Sequence, residues 1–192
     1  MACLKCAFWL TNETINIWSH VFGWMLFFGL TIYDLFLLNI HASQFDKLVV
    51  GLLLGCFQIS MASSTMYHTF SCKSEKHFNC FLSFDLFGIA LSLLGIYLSG
   101  IYYAFWCHPV HRMFYLSTVF FIFVIVIGIV ISKIKTKCMI LFFCFSGKLD
   151  YIGSSHQWWH FLVVIALYYW HNTGILYIEY RMNHGCVNDL RL

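Results

Sequence analysis

Residues 154–170 read SSHQWWHFLVVIALYYW, in which two histidines, four residues apart, stand directly before an apolar run. The run belongs to a segment, 158–178, that is long enough to cross a membrane, because a transmembrane helix needs about 20 mostly apolar residues. Residues i and i+4 of a helix lie on one face, so His156 and His160 would point the same way. This stretch therefore predicts a membrane helix that carries a pair of histidines at its start.

The composition indicates a membrane protein throughout. Of the 192 residues, 61% are hydrophobic, 20% aromatic and only 10% charged, and the mean hydropathy is +0.78. Ordinary soluble domains are far more polar. The formal net charge is +3, but the eleven Lys and Arg residues lie in short connections and form no patch, which argues against a nucleic-acid partner. We expect the partners to be membrane lipids, neighbouring helices or proteins that bind the loops.

Five segments reach the length of a membrane span. They are 17–38, 48–70, 81–106, 114–134 and 158–178. A sixth apolar piece, 138–147, would reach only about halfway across the hydrocarbon at ~1.5 Å per residue. The sequence therefore predicts an all-α, polytopic bundle of five full spans plus a short apolar fragment, which together form one transmembrane domain over residues 1–192.

The positive charges predict how this bundle is oriented. With five spans the two chain ends lie on opposite sides, and the N-terminal side collects seven of the eleven Lys and Arg residues. Cytoplasmic connections carry an excess of these residues. We therefore expect a cytosolic N-terminus and a C-terminus outside the cell or in a lumen.

The polar residues of four spans converge on the predicted cytosolic side. An ionisable side chain that faces lipid costs at least about 2.5–3.5 kcal/mol, so such residues should face the bundle interior. The first span supplies Glu13, Asn16 and His20, the second His68, the third Asp85 and the last His156 and His160.

Two helix faces support this inward direction. Asp85 shares a face with a stripe of small residues, along which membrane helices approach one another closely. Ser60, Ser64 and His68 follow each other at intervals of four on the second span. The small-residue stripe consists of Gly88, Ser92, Gly95 and Ser99.

Three neutral imidazoles suit a tetrahedral zinc ion with water in the fourth position. We therefore predict Zn²⁺ as cofactor, with His68, His156 and His160 as its ligands. Asp85 would accept a hydrogen bond from the water, and Ser64, one turn from His68, would support a ligand or the water. The plainer alternative is that these are interfacial histidines that bond headgroups or backbone carbonyls.

The remaining histidines and the cysteines are expected to be structural. His20 is interpreted as an interfacial or supporting residue, and His171, about 16 Å along the helix from His160, as part of an aromatic belt on the far side. The nine cysteines are scattered, several inside apolar runs. Most are therefore expected to be buried small hydrophobic residues, without a disulfide framework.

Four ordered motifs resemble the progestin and adipoQ receptor family, which includes the adiponectin receptors and is related to haemolysin III. They are NETINIWSH (12–20), SSTMYHTFSCKSEK (63–76), FDLFGIALSLLGIYLSGIYYAFWC (84–107) and LDYIGSSHQWWH (149–160). The resemblance implies a seven-helix bundle with a cytosolic N-terminus. It also implies zinc bound by the residues that match the family's three histidines, here His68, His156 and His160, with Asp85 beside the bound water and Ser64 opening a Ser-x-x-x-His motif.

The resemblance implies several functions. Members are receptors for adipokines or steroids, and the family is similar to alkaline ceramidases, which implies a zinc-dependent lipid-amide hydrolase. The nearest resemblance is to a Golgi member, so a Golgi membrane is favoured over the plasma membrane. We expect a membrane receptor or signalling protein; the alternative is a non-catalytic Golgi scaffold that tethers Raf kinase. An ion or solute pathway is disfavoured, because polar residues cluster at one end.

The chain departs from the family pattern near Gly147. The piece 138–147 resembles the first half of the family's fifth helix, and the lead-in to the seventh helix follows directly. Most of helices 5 and 6 is therefore expected to be missing, through a skipped exon, a faulty gene model or a real deletion. Loss of two helices keeps the last helix starting on the same side, so the three histidines can still meet. The loss also removes part of the cavity wall, which weighs against catalysis.

Overall fold

The computed structural model describes Phe8 and residues 11–37, 43–135 and 155–186, and the regular structure of these residues is entirely helical. Five of the helices are long and apolar enough to cross a membrane. The predicted all-α, multi-pass bundle is thus confirmed, whereas the predicted fragment 138–147 lies outside the described residues. The helices are α1 (Thr14–Ile32, continued by a π-helical turn, Tyr33–Leu37), α2 (Gln44–Phe70), α3 (Glu75–Ala104), α4 (Pro109–Lys135) and α5 (Ser155–Asn183).

Each helix begins three to six residues before the corresponding predicted span. Counting apolar residues detects only the part of a helix that crosses hydrocarbon, whereas the helix itself continues through the polar interface. At the start of α2 the Ser43 hydroxyl accepts a hydrogen bond from the Asp46 amide, and the Asp46 carboxylate accepts one from the Ser43 amide. This capping box starts the helix in a polar sequence that hydropathy does not register.

Helix α2 lies at the centre of the bundle, between α1 and α3, and α5 packs against α1, α2 and α3. The core between them is apolar and includes Phe27, Leu54, Phe57, Met61 and Leu167. Helix α4 packs against α3, and most of its large apolar side chains are exposed. In a bilayer these side chains would face lipid. The starts of α1, α3 and α5 and the end of α2 lie together, at what we call the N-terminal end of the bundle.

The small-residue stripe predicted on α3 packs against α2 at Gly88 and Gly95, and at its far end Ser99 accepts a hydrogen bond from Trp170 of α5. A Cβ atom at Gly88 would collide with Ser63 Oγ and would lie 2.9 Å from the Cα of Ser60. Ser92 and Ser99, further along the stripe, are buried. Asp85 is on the same face and is therefore turned into the protein.

The expectation that most cysteines are buried hydrophobic residues is wrong for the described part of the chain. Cys107, after α3, and Cys186, after α5, form a disulfide with a Cα–Cα distance of 5.6 Å across 79 residues of sequence. Cys72 is also disulfide-bonded, whereas Cys56 and Cys80 are free. Sequence spacing does not reveal that two distant helix ends meet. Because bonded cysteines occur at both ends of the bundle, they do not decide which end faces the cytosol.

Candidate metal centre

The three predicted ligands lie together at the N-terminal end of the bundle. His68 is in the last turn of α2, and His156 and His160 are in the first two turns of α5. One ring nitrogen from each lies within 4.8 Å of the others. His68 and His160 are buried, and His156 is half-buried. The structure thus brings together three side chains that are up to 92 residues apart in sequence.

The distances within the trio suit a small cation. Nε2 of His156 and Nε2 of His160 are 3.0 Å apart. Zinc–nitrogen bonds of about 2.0–2.1 Å at a tetrahedral angle would hold two nitrogens roughly 3.3 Å apart. The His68 ring centroid lies 4.6 Å from that of His160 and 5.5 Å from that of His156. Either a hydrogen bond or a shared cation would bring the two nitrogens of α5 this close.

Buried polar atoms without hydrogen-bond partners favour a shared cation over a simple hydrogen bond between the two histidines. Native proteins rarely bury a polar atom without a hydrogen-bond partner. Among the described residues, six buried side-chain atoms have none, and five of them belong to residues at the N-terminal end of the bundle. Such a concentration is expected where an ion and its water belong, so the residues present fit a metal. The five atoms are Asn16 Oδ1, His20 Nδ1, Ser64 Oγ, His68 Nε2 and Asp85 Oδ1.

Asp85 and Ser64 lie at the same end of the bundle as the three histidines. Both are buried, Asp85 on α3 and Ser64 on α2, one turn before His68. The Ser64 hydroxyl is close enough to interact with the Asp85 carboxylate, and neither Ser64 Oγ nor Asp85 Oδ1 has a partner with good hydrogen-bond geometry within the described part of the chain. Each therefore has an acceptor available for a water or a substrate group that enters the site.

Helix α1 also reaches the centre, which sequence reasoning did not foresee in this form. The Glu13 carboxylate lies 2.6 Å from His68 Nδ1, and His20 Nε2 lies 2.8 Å from His160 Nδ1. Asn16 Nδ2 donates to the same Glu13 oxygen at 2.9 Å. The signal was the shared helix face of these α1 residues, but a shared face does not identify the partner across the interface.

A second set of buried polar residues lies towards the opposite end of the bundle. His171 Nε2 is 2.5 Å from Asp34 Oδ2, and both side chains are 4% exposed. The fully buried Asp46 bonds Arg181 and accepts a hydrogen bond from the Tyr103 hydroxyl at 3.2 Å. The placement of His171 in an aromatic belt is therefore wrong. The prediction that polar residues converge at one end only is also wrong, because Asp34, inside the first predicted span, and Asp46, just before the second, form these buried contacts.

Comparison with known proteins gives independent evidence on the family of this chain. A family model described as "Haemolysin-III related" matches residues 8–145. Proteins named "Progestin and adipoQ receptor family member 3" from Mus musculus and Homo sapiens are each 34% identical over 246 residues, which covers 96% of this chain and 79% of theirs. An "Adiponectin receptor protein" from Drosophila melanogaster is 33% identical over 118 residues, covering 62% of this chain and 27% of its own.

The extent of these matches bears on the predicted missing segment. Ninety-six per cent of 192 residues is about 184, so a match over 246 residues leaves about 62 positions of the relatives without a counterpart here. The family model stops matching at residue 145, close to the predicted seam near Gly147. Both observations support the loss of a segment from an otherwise matching chain.

Proposed function

Because this chain belongs to the haemolysin-III-related family of progestin and adipoQ receptors, we propose that it is a multi-pass membrane receptor or signalling protein whose three histidines hold zinc. The observation that carries the proposal is the meeting of His68, His156 and His160 from α2 and α5. The relatives named for adiponectin and progestin support an adipokine, a steroid or another lipid as ligand class. The proposed orientation puts the N-terminus and the histidines on the cytosolic side, in a Golgi membrane.

The first role of the residues in the metal centre would be to stabilise the folded bundle. His68, His156 and His160 would hold the ion and thereby tie the start of α5 to the end of α2. A group that binds only the folded state stabilises it. When bound, zinc supplies Lewis-acid chemistry, polarising a carbonyl and lowering the pKa of a water.

Metal analysis tests this proposal. We expect the purified chain to hold about one zinc ion, and His68→Ala and His156→Ala each to lose it, because two imidazoles leave the tetrahedral set incomplete. Metal content would be measured by elemental analysis in detergent. The exposed His184, beyond α5, supplies the control, since His184→Ala should keep the ion. Zinc that is absent from the wild type, or unchanged in both ligand variants, would contradict the metal centre.

A second candidate function is hydrolysis of a lipid amide of the ceramide type. It is supported by Asp85 and Ser64, which lie at the same end of the bundle as the histidines and have buried acceptor atoms without a partner among the described residues. Hydrolysis breaks the amide C–N bond, adds the water oxygen to the carbonyl carbon and delivers a proton to the leaving amine. Asp85 would take the proton from the water and return it to the amine. The missing positions of the chain weigh against a complete substrate cavity.

The alternative is a non-catalytic Golgi scaffold that tethers Raf kinase. It rests on the resemblance of the motifs to a Golgi member of the family and needs no chemistry at the histidines. The same variants separate the two roles. A scaffold would retain the kinase in co-purification from His68→Ala, whereas a receptor that depends on its metal would lose ligand binding in that variant.

A further inference from the structure

Glu13 precedes the first residue of α1, yet its carboxylate makes no capping hydrogen bond to that helix. A carboxylate at a helix N-terminus normally interacts favourably with the free amides there. Here it reaches across to α2 and lies 2.6 Å from His68 Nδ1, 55 residues away in sequence. Glu13 therefore contacts a predicted metal ligand, His68, in place of capping its own helix.

This contact defines which ring nitrogen of His68 carries the proton. An ionised carboxylate only accepts hydrogen bonds, so His68 Nδ1 must be the donor. In a neutral imidazole the other nitrogen, Nε2, then has the lone pair. Nε2 is buried and has no hydrogen-bond partner among the described residues. A proton on Nε2 would be a buried donor without an acceptor, whereas a lone pair there is ready for a cation.

Asn16 holds the carboxylate in this position. Its amide nitrogen donates to the same oxygen, Glu13 Oε2, at 2.9 Å, and its side chain is buried. The exposures of the two partners are unequal, because the His68 side chain is 4% exposed and that of Glu13 39%. The carboxylate thus supports a buried ring from the rim of the bundle, which is the arrangement of the carboxylate–histidine–metal groups of known metal sites.

We propose that Glu13 is a positioning residue of the metal centre, which fixes the tautomer and the ring orientation of His68 so that Nε2 faces the ion. The inference rests on the proposed zinc site and assigns to α1 a role that the three ligands alone do not show. Glu13 does not itself bind the metal.

The experiment uses the intact chain in detergent after its metal has been removed. Titration with Zn²⁺ against a chromophoric chelator measures the affinity, and titration with Co²⁺ gives a visible absorption spectrum that reports the geometry of the site. We expect Glu13→Ala to lower the affinity for the metal about 10–100-fold, the usual effect of removing such a partner. The variant should also change the absorption of tetrahedral Co²⁺. Glu13→Gln should lose less metal affinity, because its amide oxygen can still accept a hydrogen bond from His68 Nδ1. Glu179, exposed near the end of α5, gives the matched control, Glu179→Gln, with wild-type affinity.

The outcomes separate this inference from the site itself. Wild-type protein that binds no metal would overturn the zinc centre. Wild-type binding that is lost in His68→Ala but unchanged in both Glu13 variants would overturn the role of Glu13 alone. Thermal unfolding of the metal-free proteins shows whether Glu13→Ala folds; if it does not, the affinity and Co²⁺ spectrum of Glu13→Gln decide, and wild-type values there count against the proposal.

Discussion

His171 and Asp34 form a buried pair away from the histidine cluster, and neither residue could be assigned this partner from the sequence. They are 137 residues apart, and the neighbours of His171 in sequence are aromatic. An imidazole surrounded by aromatic residues is typical of a membrane interface, whereas a carboxylate at 2.5 Å makes it an interior residue. At the scale of a residue, the partner decides the role more than the local sequence does.

Asp85 is the residue whose chemistry is most open to test. Asp85→Asn keeps the size of the side chain but removes its capacity to take a proton. If the chain hydrolyses ceramide, we expect the turnover of this variant in detergent to fall about 10²–10⁴-fold, the usual contribution of a general base. Zinc content should be unchanged, because Asp85 is not among the three ligands. Equal turnover by the variant and the wild type would remove Asp85 from the mechanism.

The contact between α2 and α3 sets the distance between Asp85 and the histidines. Gly88, one turn after Asp85, allows the two helices to approach so closely that backbone meets backbone near Ser60. Small residues at such crossings are typical of membrane helices, which pack by van der Waals contact. The stripe on α3 therefore positions the site as well as stabilising the bundle.

Gly88→Ala tests this contact. The added Cβ would collide with Ser63 Oγ and crowd the Ser60 backbone. We therefore expect the free energy of unfolding to fall by about 1–3 kcal/mol, which is typical of overpacking. The measurement is the midpoint of thermal unfolding in detergent, which should be lower than that of the wild type. Gly55, on α2, has nothing within 4 Å of the corresponding Cβ position. Gly55→Ala should therefore be neutral or stabilising, because alanine favours a helix. Similar midpoints for the two variants would contradict the close approach.

At the scale of the molecule, the number of spans determines where the chain ends lie. Five helices in the described part of the chain are long enough to cross the membrane, and five crossings would put the two ends on opposite sides. Removal of two helices from a seven-helix pattern keeps this parity. The last helix therefore still starts on the side where α2 ends, and His156 and His160 can still face His68.

Terminal tags on the intact chain test the orientation. We expect protease added to sealed microsomes to remove an N-terminal tag, because the excess of Lys and Arg predicts a cytosolic N-terminus. A C-terminal tag should survive until detergent opens the vesicles, which also shows that the protease can cut it. Removal of both tags from sealed vesicles would contradict the five-span topology, and survival of the N-terminal tag alone would reverse the orientation.

The sequence alone determined the membrane class, the five spans and the faces on which the candidate ligands stand. Apolar run length and helical periodicity are local properties, so they can be read without knowing the fold. They were sufficient to select His68, His156, His160, Asp85 and Ser64 as one group.

Only the tertiary structure decided which side chains touch across helices. Glu13 with His68, Asp34 with His171 and Cys107 with Cys186 are pairs of distant residues. Periodicity places residues on one face of a single helix, but the rotation and depth of that helix against its neighbours depend on packing, as at Gly88. Partner identity is therefore a property of the assembled bundle, and the proposed role of Glu13 could be inferred only there.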